Sequence, residues 1–243
     1  MLVAMTIVLG SFVCAAEEPP AQPAGVTFYV SKLGDNSDGR SWATAFTTIQ
    51  AALDGIPDNK GGHRIAVRPD TYMEANLAPA HPGAEGAYNE LIADVDGALG
   101  SGSQGRTVID NSDPRRGFKS YDWYGTVRAY KKGWSNEHTQ ETFSGIVWDR
   151  WIVRNLYATG GDGAWMFDTV DTREPFSVIL EDCVGIGRAF GGGVSSCAKR
   201  EGEPSIFRRC VFWSLDEWGD TAAGYVRVEN ESMPDTPDVI RYK

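Results

Sequence analysis

Between Trp151 and Val211 the chain repeats one apolar and polar pattern three times without a gap. The blocks are Trp151-Ile-Val-Arg-Asn-Leu-Tyr157, Val178-Ile-Leu-Glu-Asp-Cys-Val184 and Ser205-Ile-Phe-Arg-Arg-Cys-Val211, each displaced from the last by 27 residues. Each block is short and rich in β-branched and apolar residues, which fits strands rather than helices. Glycine clusters follow, Gly160-Gly-Asp-Gly163, Gly185-Ile-Gly187 and Gly191-Gly-Gly193, and read as turns. A fixed period of this size predicts stacked repeats in which each strand pairs in parallel with its equivalent, about 4.8 Å away.

Equivalent positions then form files along the stack. Val153, Leu180 and Phe207 make one apolar file and Leu156, Cys183 and Cys210 a second, both predicted to face inward. Arg154, Glu181 and Arg208 make an exposed file of alternating charge, the arrangement stacked strands require because like charges directly opposite repel. Asn155, Asp182 and Arg209 fall beside it at a bend. The same period carries Cys210 to Pro237, where Pro237-Asp-Val-Ile-Arg241 starts like a fourth equivalent strand. That predicts either a fragment or a partner chain covering an open C-terminal rung, since an unpaired rung is an aggregation template.

Upstream, Phe28-Tyr-Val-Ser31 reads as a strand and Gly34-Asp-Asn-Ser-Asp-Gly39 as a turn. Thr47 or Thr48 is placed to cap a helix over Ile49–Ile56, with Ile49, Ala52, Leu53 and Ile56 on one face, a suitable lid for the end of a stack. His63–Val67, Pro69–Glu74, Leu91–Val95 and Thr107–Asp110 read as further strands.

Several of these segments together resemble the N-terminal region of right-handed parallel β-helix proteins of the pectin lyase-like superfamily. They are Tyr29-Val-Ser31 with Gly34-Asp35, Ser41-Trp42-Ala43, Phe46-Thr-Thr-Ile-Gln-Ala-Ala-Leu53, Ile65-Ala-Val-Arg-Pro69, Thr71-Tyr72-Met-Glu74 and Val108-Ile-Asp110. Asp70 stands where such proteins usually carry the glycine of a Pro-Gly-Thr-Tyr run. The resemblance implies an all-β, right-handed parallel β-helix over residues 26–243 with a short N-terminal capping helix. It is specific for fold; the superfamily contains lyases, hydrolases, esterases and proteins without known catalysis. The stretch from Thr48 to Pro57 is also similar to the opening of pectin methylesterases, but the chain has no Gln-Asp pair. Glu181-Asp182-Cys183 resembles the Asp-Asp-Cys of polygalacturonases without the companion Gly-His-Gly.

The apolar run Leu2–Val13, ending in Cys14-Ala-Ala16, is too short to span a bilayer and reads as a signal peptide over residues 1–16, with 17–25 as a linker. This predicts a protein secreted to the periplasm, cell surface or medium, with no membrane segment after cleavage. Three cysteines then remain, an odd number that implies no disulfide framework. The net charge of −10 argues against a nucleic-acid partner.

Two constellations carry candidate chemistry. The basic cluster Arg115, Arg116, Lys119, Arg128, Lys131 and Lys132, with Trp134 and Trp165 as flat platforms, suits the anionic groups and rings of an acidic glycan. Asp162, Asp168 and Asp171 near the glycine turns offer either a general acid/base pair or a Ca²⁺ site. Under the family resemblance the implied partner is an extracellular polysaccharide and the implied chemistry that of a lyase, with an Arg or Lys as base and carboxylates holding Ca²⁺; Arg188 joins Asp162, Asp168 and Asp171 as a candidate catalytic residue. A two-carboxylate glycoside hydrolase and a non-catalytic surface or adhesion module are the alternatives.

Overall fold

The alternation seen in the sequence becomes three large sheets and one two-stranded sheet, and every ladder between their strands is parallel. The computed structural model describes residues 25–111, 127–128, 148–160, 163–168, 175–187, 190–195, 198–214 and 226–228. The predicted signal peptide, nearly all of the linker and the strand at 237–241 lie outside them.

The chain enters as β1 (Thr27–Val30), followed by a helix, α1 (Ile49–Asp54), and then β2 (Arg64–Val67) and β3 (Thr71–Tyr72). The next tier is β4 (Asn89–Ala93), β5 (Thr107–Asp110) and β6 (Val127–Arg128). Two closely similar tiers follow: β7 (Trp151–Arg154), β8 (Leu156–Thr159) and β9 (Gly163–Asp168), then, after the short β10 (Pro175–Phe176), β11 (Val178–Glu181), β12 (Val184–Gly187) and β13 (Phe190–Ser195). After β14 (Ala198–Lys199) the last tier is β15 (Ile206–Arg208), β16 (Val211–Ser214) and β17 (Val226–Val228). Strands of equal rank pair, giving the sheets β1-β2-β4-β7-β11-β15, β3-β5-β8-β12-β16 and β6-β9-β13-β17, with β10 and β14 forming a fourth, two-stranded sheet. Among the described residues the fold is mostly strand with little helix.

Register agrees with the files expected from the sequence. Leu180 pairs with Val153 on one side and Phe207 on the other, and the file continues through Leu91, Ile65 and Phe28. Leu156 and Cys183 are buried, while Phe207 and Cys210, on the last tier, are partly buried and packed against the same core. The bend residues Asn155, Asp182 and Arg209 all adopt positive φ, at 62°, 55° and 53°. Asn and Asp tolerate this left-handed conformation readily. At Arg209 a bidentate pair with Asp182, at 2.6 and 2.7 Å, accompanies it.

Helix α1 is shorter than the pattern suggested. Thr48 is the N-cap, its hydroxyl accepting from the Ala51 amide at 3.2 Å. Glu74 reaches across from the segment after β3 to accept from the amides of Ile49 and Gln50 at 2.7 and 2.9 Å, satisfying two donors that a helix start leaves orphaned. Ile49, Ala52 and Leu53 are buried, and so is Ile56 just beyond the helix. β4 begins two residues earlier than Leu91, because Asn89 and Glu90 already pair with the next tier. It ends at Ala93, where the Asp94 carboxylate turns the chain by accepting from the amides of Leu99 and Ser101.

Two of the three glycine clusters are strand, not turn. Gly185 and Gly187 lie in β12, and Gly191 to Gly193 in β13. A Cβ on Gly185 would stand 2.0 Å from the Gly191 carbonyl oxygen and 2.7 Å from the Trp165 ring, and one on Gly192 would meet the Phe212 ring at 2.6 Å. Here glycine admits bulky rings and close backbone approach, a second use of the residue that composition cannot distinguish from turn formation.

Candidate functional site

On the first sheet the alternating charges form a longer chain than the repeat predicted. Glu181 accepts from Arg154 Nε at 2.7 Å and pairs with Arg208 Nη1 at 2.8 Å. Arg154 also pairs with Glu90, which pairs with Arg64 Nε at 2.5 Å. The order is therefore Arg64–Glu90–Arg154–Glu181–Arg208. The sequence suggested an exposed file, but both carboxylates are buried under the arginine stems that flank them. The hydrogen bond from Arg154 holds the Glu181 carboxyl below the usual glutamate range, against the opposing effect of burial. With each carboxylate held by two guanidiniums, this face is a structural ladder.

A second polar group sits at the entry to the same sheet. Arg200 Nη2 binds the Asp149 carboxylate at 2.5 Å, and Arg150 Nε binds Glu203 at 2.9 Å. Asp149 also accepts from the Ser177 amide at 2.8 Å. Burial pushes the Asp149 carboxyl upward, although Ser177 and Arg200 act against it. These contacts tie neighbouring tiers together, and the buried Arg200 Nε lies 3.3 Å from Glu203 without a hydrogen bond.

The outer face of the sheet β3-β5-β8-β12-β16 is different. Thr71, Val108, Tyr157, Val184 and Val211 lie in one register file, and Asp110, Thr159, Ile186 and Trp213 in the next. Strand alternation turns Leu156, Ala158, Gly185 and Ile109 inward and leaves these files facing out. Trp213 is 52% exposed and Val211 55%. The guanidinium of the exposed Arg106 lies 5.3 Å from the centroid of the partly exposed Tyr157 ring. Tyr157 and Trp213 are two strands apart across the sheet and two residues apart along it, a separation of about 12 Å from strand spacing and rise. Two rings, a cation and hydroxyl and carboxylate groups thus share one surface, a composition suited to holding a sugar chain flat.

Of the residues singled out from sequence, Arg115, Arg116, Lys119, Lys131, Lys132, Trp134, Asp162, Asp171 and Arg188 lie outside the described residues. Two others lie in the third sheet without pairing each other: Arg128, in β6, pairs with Met166 of β9, and Asp168, at the end of β9, pairs with Ser195 of β13. Trp165 departs from its expected role as a sugar platform. It is fully buried, and its indole N–H donates to the Val184 carbonyl at 2.9 Å, so it packs beneath β12. Among the described residues no group of three or more His, Cys, Asp or Glu is placed to hold a metal ion.

Sequence reasoning did not single out Arg106, Tyr157 or Trp213 as site residues. The signal was present in the repeat: Tyr157, Val184 and Val211 are the seventh positions of the three blocks, one residue beyond an inward file and hence on the opposite face. Compared with family models, curated proteins and solved structures, the chain matches none of them.

Proposed function

We propose that this chain is a right-handed parallel β-helix of the pectin lyase-like type, with α1 as the lid of its N-terminal end, and that it binds an extracellular polysaccharide. The observation that carries the binding reading is the outer face of the sheet β3-β5-β8-β12-β16, where Trp213 is exposed and Arg106 lies over the Tyr157 ring. Exposed flat rings supply stacking surface, and a guanidinium favours a glycan bearing carboxylates or sulfates. The basic cluster from Arg115 to Lys132 adds cations to the chain and is assigned to the same acidic ligand. The parallel ladders and the 27-residue register support the β-helix reading.

The test is incubation of the chain with pectate, alginate and glycosaminoglycans, with and without calcium, followed by binding, ultraviolet absorbance and reducing ends. Binding is expected for an acidic glycan, weakening as salt rises, since exposed charges are screened beyond about 8 Å at physiological ionic strength. Trp213→Ala is expected to weaken it about tenfold, the equivalent of about 1.4 kcal/mol and within the range for ring stacking plus lost area. New absorbance would assign elimination to an unsaturated uronate, and reducing ends without absorbance would assign hydrolysis. Binding with neither leaves an adhesion module. Absence of binding to every acidic glycan, or unchanged affinity in Trp213→Ala, overturns the proposed face.

A further inference from the structure

The two described cysteines occupy equivalent places on successive tiers. Cys183 precedes β12 and Cys210 precedes β16, and the amide of Val211 donates to the Cys183 carbonyl at 3.0 Å. One residue earlier, the Asp182 amide donates to the Arg208 carbonyl, also at 3.0 Å. The thiols repeat one another's contacts: Cys183 Sγ donates to the Val153 carbonyl at 3.5 Å and Cys210 Sγ to the Leu180 carbonyl at 3.4 Å. Parallel neighbours stand about 4.8 Å apart, inside the span of about 4.4–6.8 Å between Cα atoms that a disulfide bridges. Both are free thiols, Cys183 buried and Cys210 partly exposed.

We propose that Cys183 and Cys210 form a redox modification site, an attacking and resolving thiol pair that closes to a disulfide across adjacent tiers. The asymmetry of burial sets the order of events. Cys210 is the accessible partner, and the neighbouring Cys183 thiol lowers its thiol to about 7, so thiolate is present at neutral pH. Burial pushes the Cys183 thiol up, which keeps it protonated until a mixed disulfide forms beside it.

The oxidant is a small-molecule disulfide. The Cys210 thiolate attacks one of its sulfurs, forming a mixed disulfide and releasing one small thiolate, which takes up a proton. Cys183 then loses its proton, attacks Cys210 Sγ and expels the second small thiol. Two protein thiols are oxidised, one external disulfide is reduced to two thiols, and no further electrons are needed.

The full-length chain, folded and reduced, is exposed to oxidised glutathione, alkylated and digested with trypsin. Cys183, Cys197 and Cys210 then fall in separate peptides, 174–188, 189–199 and 210–227. The expected result is a cross-linked 174–188/210–227 pair lighter by two hydrogens than the sum of its reduced members, with Cys197 alkylated. Cys183→Ser is expected to retain glutathione on Cys210, because the resolving thiol is gone. The proposal is overturned if the wild-type map shows Cys183 and Cys210 both alkylated, if either pairs instead with Cys197, or if the cross-link forms only in urea. The wild-type map decides the matter even if Cys183→Ser fails to fold.

Discussion

Removing one carboxylate from the middle of the charge ladder is the sharpest test of how the tiers are held together. In Glu181→Ala, Arg154 loses a charged hydrogen bond of 2.7 Å while keeping Glu90, and Arg208 loses its contact at 2.8 Å. Charged hydrogen bonds contribute about 1.5–3 kcal/mol, and the lower end applies because the Arg154 side chain is 35% exposed and retains a partner. The Arg208 side chain is 52% exposed, so its contact is worth about 0.5 kcal/mol. The sum is a destabilisation of about 2 kcal/mol. Urea denaturation measures it, and double-mutant cycles divide it: coupling of about 1.5 kcal/mol with Arg154→Ala and about 0.5 kcal/mol with Arg208→Ala is expected.

The acid dependence follows from the sign of the shift. The folded carboxyl of Glu181 is held below the ordinary glutamate value of 4.5. Its contribution is therefore fully present above the unfolded value and lost as pH falls through the depressed folded one. The penalty of Glu181→Ala should be constant near neutrality and shrink well below pH 4.5. A penalty under about 0.5 kcal/mol at neutral pH, or one that persists in strong acid, would refute the ladder as a source of stability.

Two packing predictions accompany it. Gly185→Ala places a methyl carbon 2.0 Å from the Gly191 carbonyl oxygen and 2.7 Å from Trp165; a loss of about 3 kcal/mol or failure to fold is expected, at or above the upper end for overpacking, and an unchanged melting temperature would contradict the strand placement of that glycine. Leu180→Ala empties a fully buried position between Val153 and Phe207 and should cost about 2–5 kcal/mol by chemical denaturation, whereas a cost below about 1 kcal/mol would mean that the file does not face the core.

The files were legible wherever the connections have constant length. From Arg154 to Glu181 and on to Arg208 the blocks superpose without a gap, so register, inward faces and charge alternation could all be read before any coordinates. Glu90 could not be added to that ladder, because 64 residues separate it from Arg154 and no period links them. Glycine misled for a different reason: at Gly185 and Gly191 the requirement is space for Trp165 and for neighbouring backbone, a tertiary demand that local sequence does not state. Trp165 itself was misplaced because a large ring with a polar N–H suits a sugar platform and a core position equally, and only the burial of β9 decides between them. The outer face with Tyr157 and Trp213 was implied by the repeat but visible only after its files were extended beyond the inward positions.

The two spacings along the charge ladder have a practical meaning. Arg154 meets a glutamate 27 residues downstream and another 64 residues upstream, yet both stand on adjacent strands. Pairing therefore depends on where an excursion leaves and rejoins the sheet, and not on how many residues it contains. What must be kept there is the meeting of Leu91 with Val153 across β4 and β7, with β6 still in register against β9. Protein engineering on this scaffold can vary the contents of a loop freely and treat the strand register as a fixed socket.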